Sequence, residues 1–189
     1  MNIALLAWGS LLWKAEPLKI RDPWQWDGPR LPIEFAREGD GGELAVVLCA
    51  GAPEIAVPWA CLDETDLGVA CEQLRIREAI PRSRRDGIGT VSRDQPYVNT
   101  FCADVVERWR ESKDLDAVVW TALPPRSAGI EGRVPSAGEA VRYLRRLHGE
   151  IREHAKQYAL NVPACIDTPI RREIKGCLGW SRPEPNDPS

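Results

Sequence analysis

A glycine-serine turn near the start of the chain is the first feature that indicates chemistry. The turn, Gly9-Ser10, interrupts the apolar stretch LLAWGSLLW at residues 5–13. Because glycine has no side chain, another molecule can approach the backbone closely at this point. The turn is therefore either an ordinary connection or a place where backbone N–H groups bind an anion.

Glu78 is the second such feature, because it lies on the inward face of a predicted helix over residues 63–79. At about 100° per residue, it falls into the apolar stripe of that helix. The stripe consists of Leu67, Ala70, Cys71 and Leu74. A carboxylate there costs free energy unless it is paired or protonated. Burial raises its pKa toward neutrality, which suits a general acid or base.

Other environments for Glu78 remain open from periodicity alone. The helix is close to its end at this position, so the side chain can bend out to solvent. It can also pair with Arg75, Arg77 or a basic residue of the 82–85 segment.

Composition and charge narrow the class of protein. The chain has 189 residues, of which 43% are hydrophobic, and a formal net charge of −3. That charge gives no electrostatic reason to expect nucleic acid or an anionic membrane as a partner. No apolar stretch approaches the ~20 residues of a membrane span, and no leader peptide is evident. We therefore expect a cytoplasmic protein.

The six cysteines do not have the spacing of a metal site. They are Cys49, Cys61, Cys71, Cys102, Cys165 and Cys177. Without a Cys-x-x-Cys pair or an accompanying histidine set, we expect no metal. We expect small buried thiols instead of disulfides. A Cys/His hydrolase built on Cys71 or Cys102 has no local signature to support it.

The elements that must position these residues are strands first and helices later, which predicts an α+β fold. Predicted strands cover residues 3–8, 31–37, 43–49, 54–61 and 115–122. The glycine-rich turn Gly39–Gly42 joins the second and third strands as a hairpin. Pro58 places the fourth strand at a sheet edge or a bulge.

Helices dominate the second half of the chain. We predict a helix over residues 100–112, a long helix from Ser136 to Tyr158 with a Ser136/Glu139 capping box, and a short last helix. The last helix has Thr168 as its cap and Pro169 at its first position, and Gly176 follows its end.

These elements predict a single domain over residues 1–182. Its core covers about 3–122 and its C-terminal helical extension about 136–180. A disordered tail follows at 183–189.

Several other residues have both a functional and an ordinary interpretation. Arg37, at the end of strand 31–37, either faces a bound carboxylate or is an exposed strand-end arginine. The basic 82–98 segment is either a lid over an acidic substrate or a solvated loop. His148 and His154 are interpreted as partly buried or surface histidines. Trp24 and Trp26, in the loop 22–30, suit a pocket rim, a partner surface of an adaptor protein, or the core.

The stretch AWGSLLW at residues 7–13 resembles the Tyr-Gly-Ser-Asn/Leu signature of the gamma-glutamylcyclotransferase-like family, which also ends the first strand there. It is most similar to the Gly-Ser-Leu-x-Trp form of the glutathione-specific, ChaC-type branch. In that family a catalytic glutamate follows a helix in a Glu-Gly-Val-like setting, the slot that Glu78-Ala79-Ile80 occupies here. The resemblance covers roughly residues 3–80 and strand 115–122, and the C-terminal helices have no counterpart in it.

The resemblance implies a mixed sheet or barrel with flanking helices. It also implies an enzyme that releases 5-oxoproline from a small gamma-glutamyl amide or peptide. Glu78 would be its general acid/base, and the substrate would be cradled by Trp8, Gly9, Ser10 and Leu11. The reaction requires no metal or cofactor, because the substrate's own α-amine is the nucleophile.

Two departures from the family pattern support an alternative function. Trp8 stands in place of the signature tyrosine, and Ala79 in place of the glycine that follows the glutamate. Either change fits an altered substrate. Either also fits a non-catalytic binding module that holds an amino-acid-like carboxylate at the turn Gly9-Ser10-Leu11. The sequence does not specify the amine carried by the glutamyl group or the oligomeric state.

Overall fold

The computed structural model describes residues 1–94 and 101–182. Within these ranges the fold is α+β, as predicted, with two sheets and five helices. The strands are β1 (Ile3–Leu6), β2 (Arg30–Glu38), β3 (Leu44–Leu48), β4 (Glu54–Ala56), β5 (Trp59–Cys61), β6 (Ile88–Ser92), β7 (Ala117–Thr121), β8 (Arg126–Ser127) and β9 (Ile130–Glu131). The helices are α1 (Leu67–Arg77), α2 (Ala103–Ser112), α3 (Ala137–Arg145), α4 (Gly149–Asn161) and α5 (Pro169–Leu178).

The first sheet has the strand order β5-β1-β7-β6. Its two central strands, β1 and β7, run parallel and consist almost entirely of buried apolar residues. Such continuous apolar runs are typical of strands covered on both faces. Because the two strands are parallel, their carboxyl ends meet at one edge of the sheet. The Gly9-Ser10 turn follows β1 at that edge.

The second sheet has the order β3-β2-β8-β9, with β4 also paired to β2. The hairpin predicted around Gly39–Gly42 is confirmed as the β2–β3 pair. The predicted strand 54–61 is wrong as a single element, because it divides into β4 and β5, which belong to different sheets. Pro58 lies between them, and its carbonyl accepts a hydrogen bond from the Ala7 N–H at 3.0 Å. The chain therefore passes from one sheet to the other at this proline.

The segment after α1 and the connection after β7 contain strands that the sequence did not predict. Strand β6 lies inside the predicted 82–98 loop, and its β-branched residues pair antiparallel with β7. The neighbouring basic and glycine residues obscured this pattern. A small hairpin, β8–β9, follows Pro124-Pro125. Residues 95–98 of the predicted loop and the predicted tail at 183–189 lie outside the described residues.

The long helix predicted from Ser136 to Tyr158 is two helices, α3 and α4. The capping box is confirmed: the Ser136 N–H donates to Glu139 Oε2 at 2.8 Å, and the Glu139 N–H to Ser136 Oγ at 3.3 Å. The break falls before Gly149, whose φ of +57° is a conformation that glycine adopts without strain. Because Arg146, Leu147 and His148 do not disturb the helical period, the sequence did not reveal the break.

Several helix ends also differ from the prediction: α1 ends at Arg77 and not near Ala79, and α2, predicted from residue 100, begins at Ala103. Helix α1 begins later than expected, because Asp66 and not Asp63 is its cap. The Asp66 carboxylate accepts the Val69 N–H at 2.9 Å. Helix α5 begins at Pro169, with Thr168 as its cap, as predicted. It ends at Leu178, with Gly179 in the left-handed conformation, and so continues through Gly176, which was predicted to follow its end.

The C-terminal helices share one apolar core with the sheets. Phe35 and Trp120 of the strands belong to the same buried cluster as Leu144, Ile166 and Ile174 of the C-terminal part. The extension is therefore packed into the protein and is not peripheral to it. Within the described residues, no helix is long and apolar enough to cross a membrane.

The cysteines, all within the described ranges, are free thiols. The expectation of buried thiols is correct for Cys49 and Cys61, while Cys71 and Cys102 are half-buried. It is wrong for Cys165 and Cys177, which are exposed. Cys165 lies between α4 and α5 and Cys177 on the outer side of α5, positions that sequence spacing alone does not separate from the core.

A buried carboxylate joins α5 to the second sheet. Glu34 of β2 is only 5% exposed. It accepts hydrogen bonds from the Thr168 hydroxyl, from the Ile170 N–H at 3.2 Å and from the Phe35 N–H at 2.7 Å. A negative charge is favourable at this place because the N-terminus of a helix carries a partial positive charge. Burial nevertheless raises the pKa of Glu34, against the effect of these donors.

We expect Glu34→Ala to lower the free energy of unfolding by about 2–4 kcal/mol. The substitution leaves the Thr168 hydroxyl and the Ile170 N–H buried without their acceptor. Urea denaturation of the wild type and the variant measures the difference. Glu54→Ala, at an exposed strand end, is the control and should change stability little. Equal losses in the two variants would contradict a structural role for Glu34.

Candidate active site

A cavity of about 530 Å³ lies where the ends of β1, β7 and α1 meet the β2–β3 turn and α4. Its lining includes the predicted catalytic glutamate and all the predicted substrate-binding residues. These are Trp8, Gly9, Ser10, Leu11, Arg37 and Glu78. The turn and the glutamate, which are far apart in the sequence, therefore face the same space.

The turn after β1, which is part of the cavity lining, contains backbone N–H groups without a hydrogen-bond partner in the described residues. Residues Ser10–Leu12 form a single 3-10 turn, in which the Leu12 N–H donates to the Gly9 carbonyl at 3.0 Å. The N–H groups of Ser10 and Leu11 donate to no other group in the described part of the chain. The first N–H groups of a helical turn have no partner within the turn. They are therefore available to an anionic or carbonyl oxygen.

Glu78 is placed by the way in which helix α1 ends. The Ala79 N–H donates to the Ile76 carbonyl at 3.1 Å and the Ile80 N–H to the Arg75 carbonyl at 3.0 Å. This is the Schellman pattern, which requires a left-handed residue at Ala79. Ala79 indeed has a φ of +51°, a conformation that glycine adopts freely and alanine at a cost of about 1–2 kcal/mol. The turn leaves Glu78 facing the cavity.

The environment of Glu78 raises the pKa of its carboxyl group. Its side chain is 17% exposed. Burial raises the pKa of Glu78, and the negative charge of Glu43 raises it further. The positive charge of Arg77 lowers this pKa but does not offset the effect of burial, so the net shift is upward. The inward orientation predicted from helical periodicity is confirmed. The ion pair with Arg77, one of the alternatives, forms as well, at 3.0 Å between Nη1 and Oε1.

Arg77 connects the turn to the glutamate. Its Nη2 donates to Ser10 Oγ at 2.9 Å and to the Lys14 carbonyl at 2.7 Å, while its Nη1 donates to Glu78. Sequence reasoning considered Arg77 only as one partner for Glu78 among several. Nothing in the sequence distinguishes it from Arg75, which pairs with Glu72 on the outside of the helix.

Tyr158 of α4 forms another wall of the cavity. Its hydroxyl oxygen accepts the Val46 N–H at 3.1 Å, and burial raises the pKa of Tyr158, which keeps the hydroxyl protonated. A Cβ atom on Gly9 would overlap this hydroxyl. Close approach of Tyr158 is therefore the reason that residue 9 is glycine. The apolar stripe of the predicted helix placed Tyr158 inward, but it gave no signal that the side chain reaches the turn.

Arg37 lines the cavity, but its guanidinium already has a carboxylate partner. It donates to Glu131 through both Nη atoms, at 2.9 and 3.0 Å, and to the Pro124 carbonyl at 2.8 Å. Arg84, from the predicted loop, also contacts Glu131, at 3.2 Å. A ligand carboxylate would have to displace Glu131 to bind Arg37. Arg82 is not part of the cavity lining and pairs with Glu72.

The remaining candidates from the sequence lie elsewhere. Cys71, Cys102 and His148 are not part of the cavity lining. Trp24 and Trp26 border a separate shallow depression. Within the described ranges, no three His, Cys, Asp or Glu side chains are grouped as metal ligands.

Comparison of the chain with models of protein families, with curated proteins and with solved structures finds no match. A function can therefore be proposed only from the geometry of the cavity and from the resemblance of the Gly9-Ser10 turn and Glu78 to the family signature. The cavity has the size of a small-molecule site. It combines a carboxyl group of raised pKa with unbonded N–H groups, an arrangement suited to proton transfer at a carbonyl compound.

The contact between Gly9 and Tyr158 predicts non-additive effects on stability. Gly9→Ala should lower the free energy of unfolding by about 1–3 kcal/mol, because the new methyl group overlaps the Tyr158 hydroxyl. In a Tyr158→Phe background the nearest ring atom lies at 3.5 Å, an ordinary contact, so Gly9→Ala should cost less there. A double-mutant cycle by urea denaturation measures this coupling.

Gly138→Ala is the control for that cycle. Gly138 lies on α3 with no atom within 4 Å of an added Cβ. Its substitution should show no coupling to Tyr158→Phe. If the effects of Gly9→Ala and Tyr158→Phe are additive, the close contact does not exist.

The raised pKa of Glu78 predicts a pH-dependent stability difference between the wild type and Glu78→Gln. Between the unfolded and folded pKa values, the native state binds more protons than the unfolded state. The wild type should therefore lose stability relative to the variant as pH rises through that window. Unfolding free energies measured at intervals from about pH 4 to pH 8 provide the comparison. Contributions of carboxylates that do not act on Glu78, such as Glu34, cancel in the difference, and a flat difference would refute the shift.

Proposed function

We propose that this protein is a cytoplasmic gamma-glutamylcyclotransferase-like enzyme that releases 5-oxoproline from a gamma-glutamyl amide or peptide. A gamma-glutamylcyclotransferase-like sheet or barrel is part of the same proposal. The observation that carries it is the link through Arg77, which holds the Ser10 turn and the Glu78 carboxyl group at one cavity. Glu78 also occupies the slot that the resemblance assigns to the catalytic glutamate.

The proposed reaction is an intramolecular acyl transfer. The α-nitrogen of the substrate forms a bond to the γ-carbonyl carbon, and the bond from that carbon to the leaving nitrogen breaks. For a primary amine leaving group, two protons move from the α-ammonium to the leaving nitrogen, with no net gain or loss. Glu78 takes a proton from the attacking nitrogen and delivers it to the leaving nitrogen. A pKa raised toward neutrality suits both directions of transfer.

Positioning is the second requirement of this reaction. The nucleophile and the carbonyl belong to the same molecule, so the cavity needs only to hold the glutamyl chain bent. The N–H groups of Ser10 and Leu11 would bind the oxygen on which negative charge develops, or the substrate's α-carboxylate. Trp8, the buried residue that precedes the turn, is also part of the cavity lining. These steps use only groups of the chain itself.

Binding without turnover is the second candidate function. The Arg77 contact favours the ionised state of the Glu78 carboxylate and competes with its use as an acid. Under this alternative, the turn Gly9-Ser10-Leu11 holds an amino-acid-like carboxylate, and a gamma-glutamyl compound remains intact when bound.

Glu78→Gln should keep its fold and lose 5-oxoproline release by about 10²–10⁴-fold, because the amide cannot accept or deliver the proton. The assay supplies glutathione, gamma-glutamyl dipeptides and gamma-glutamyl amines to the wild type and the variant and quantifies 5-oxoproline. Glu54→Gln, remote from the cavity, is the matched control and should retain full activity.

The assay also separates the two functions. Full activity in Glu78→Gln would refute the role of this residue. A wild type that binds one of these compounds, shown by calorimetry, and releases no 5-oxoproline would establish the binding function instead.

A further inference from the structure

The carboxylates that line the cavity differ in whether an arginine pairs with them. Among residues 1–94 and 101–182 there are four of them, and three have arginine partners. The pairs are Asp40 with Arg126, Glu78 with Arg77, and Glu131 with Arg37 and Arg84. Glu43, the fourth, has no arginine partner in these ranges. It is therefore the lining carboxylate whose charge the surrounding protein balances least.

The hairpin turn positions Glu43 at the cavity. Glu43 directly precedes β3, and its carbonyl accepts the Gly39 N–H at 2.8 Å. Its carboxylate folds back over the turn, so that a Cβ on Gly39 would overlap it and a Cβ on Gly41 would lie 2.8 Å from Oε2. The glycines of the turn thus leave room for the carboxylate, which remains at the cavity and does not extend into solvent.

The Glu43 carboxylate lacks hydrogen-bond donors. Neither oxygen accepts a hydrogen bond from another described group, and Oε2 is also shielded from solvent. The nearest group that can carry a positive charge is His154 Nε2, at 3.3 Å on a side chain that is 58% exposed. A shielded carboxylate oxygen without a donor costs free energy. Oε1 also has no donor, and it remains accessible because the Glu43 side chain is 19% exposed. A ligand ammonium, with three N–H donors, supplies the hydrogen bond that Oε1 lacks.

We propose that Glu43 binds the α-ammonium group of the gamma-glutamyl substrate and holds the α-nitrogen between itself and Glu78. This inference rests on the proposed function and specifies its substrates as compounds with a free α-ammonium. The negative charge of Glu43 acts on Glu78 across the cavity, and an ammonium placed between two carboxylates relieves their repulsion.

The same contact distinguishes substrate from product. Cyclisation converts the α-ammonium into a neutral lactam nitrogen, which no longer forms an ion pair with a carboxylate. Glu43 therefore favours the substrate over 5-oxoproline and promotes release of the product.

Binding to the Glu78→Gln protein tests this role without interference from turnover. The probes are L-glutamine and glutaramic acid, which is the same molecule without its α-amino group. L-glutamine should bind about 10- to 100-fold more tightly, as expected for hydrogen bonds to a charged group. In Glu43→Gln/Glu78→Gln this preference should disappear, while the affinity for glutaramic acid stays unchanged. Calorimetry measures all four affinities.

Asp40→Asn in the same Glu78→Gln background is the matched control. Asp40 lies on the same turn and lines the same cavity, but its side chain is 94% exposed and paired with Arg126. The preference for L-glutamine should persist in this variant. Equal loss of the preference in both variants would overturn the assignment to Glu43, as would a preference that survives Glu43→Gln.

The pH profile of the Glu43→Gln single variant gives a readout that a purely structural role would not change. The charged and titratable groups that act on Glu78 are Arg77 on α1 and Glu43 on the hairpin, with the Tyr158 hydroxyl facing them from α4. Removing the Glu43 charge lowers the pKa of Glu78. The acidic limb of kcat/KM should therefore move to lower pH, and an unmoved limb would count against the proposal.

Failure of this inference is distinguishable from failure of the proposed function. If the protein releases 5-oxoproline but shows no Glu43-dependent preference for the ammonium, only the role of Glu43 is wrong. If it releases no 5-oxoproline and Glu78→Gln binds neither probe, the proposed function fails and this inference fails with it.

Discussion

The Arg77 guanidinium is the interaction on which the candidate site depends. It is largely buried, so its donors must find acceptors, and they find them on both sides of the cavity. Ser10 and Lys14 provide acceptors on the turn after β1, and Glu78 provides one at the end of α1. These bonds fix the distance between the unbonded N–H groups and the carboxyl group. A charged group in this position also keeps Glu78 from shifting as far toward the neutral form as burial alone would drive it.

Other elements of the fold form the remaining walls of the cavity around the turn and Glu78. The parallel arrangement of β1 and β7 places the turn at a sheet edge, and the β2–β3 hairpin reaches the same edge from the second sheet. Helix α4 adds Tyr158, whose close packing requires Gly9. The C-terminal helices are held by the shared apolar core and by the buried Glu34 contacts to α5. The C-terminal helices, which the family resemblance does not cover, therefore contribute to the cavity through α4. The N-terminal half alone does not form the complete site.

Charge is distributed unevenly within the cavity. Arginines neutralise most of the lining carboxylates and thereby fix the positions of β9, the hairpin turn and the end of α1. Glu43 is the exception, and Glu78 combines an ion pair with a raised pKa. Among the described lining residues, four arginines face four carboxylates, so the formal charges balance although Glu43 itself has no arginine partner. Such a site suits a small zwitterion better than an anion. This physical argument is independent of the sequence resemblance, and it agrees with a gamma-glutamyl compound as the ligand.

The sequence by itself determined the local features. These were the α+β class, the hairpin at Gly39–Gly42, the capping box at Ser136 and the inward direction of Glu78, because each depends on residues close together in the chain. Only the tertiary structure decided which elements meet. It selected Arg77 over Arg75, divided residues 54–61 between two sheets, separated α3 from α4, and brought Glu43 and Tyr158 to the cavity. Such outcomes depend on long-range packing, in which side chains from distant segments compete for the same buried space, and no local pattern encodes that competition.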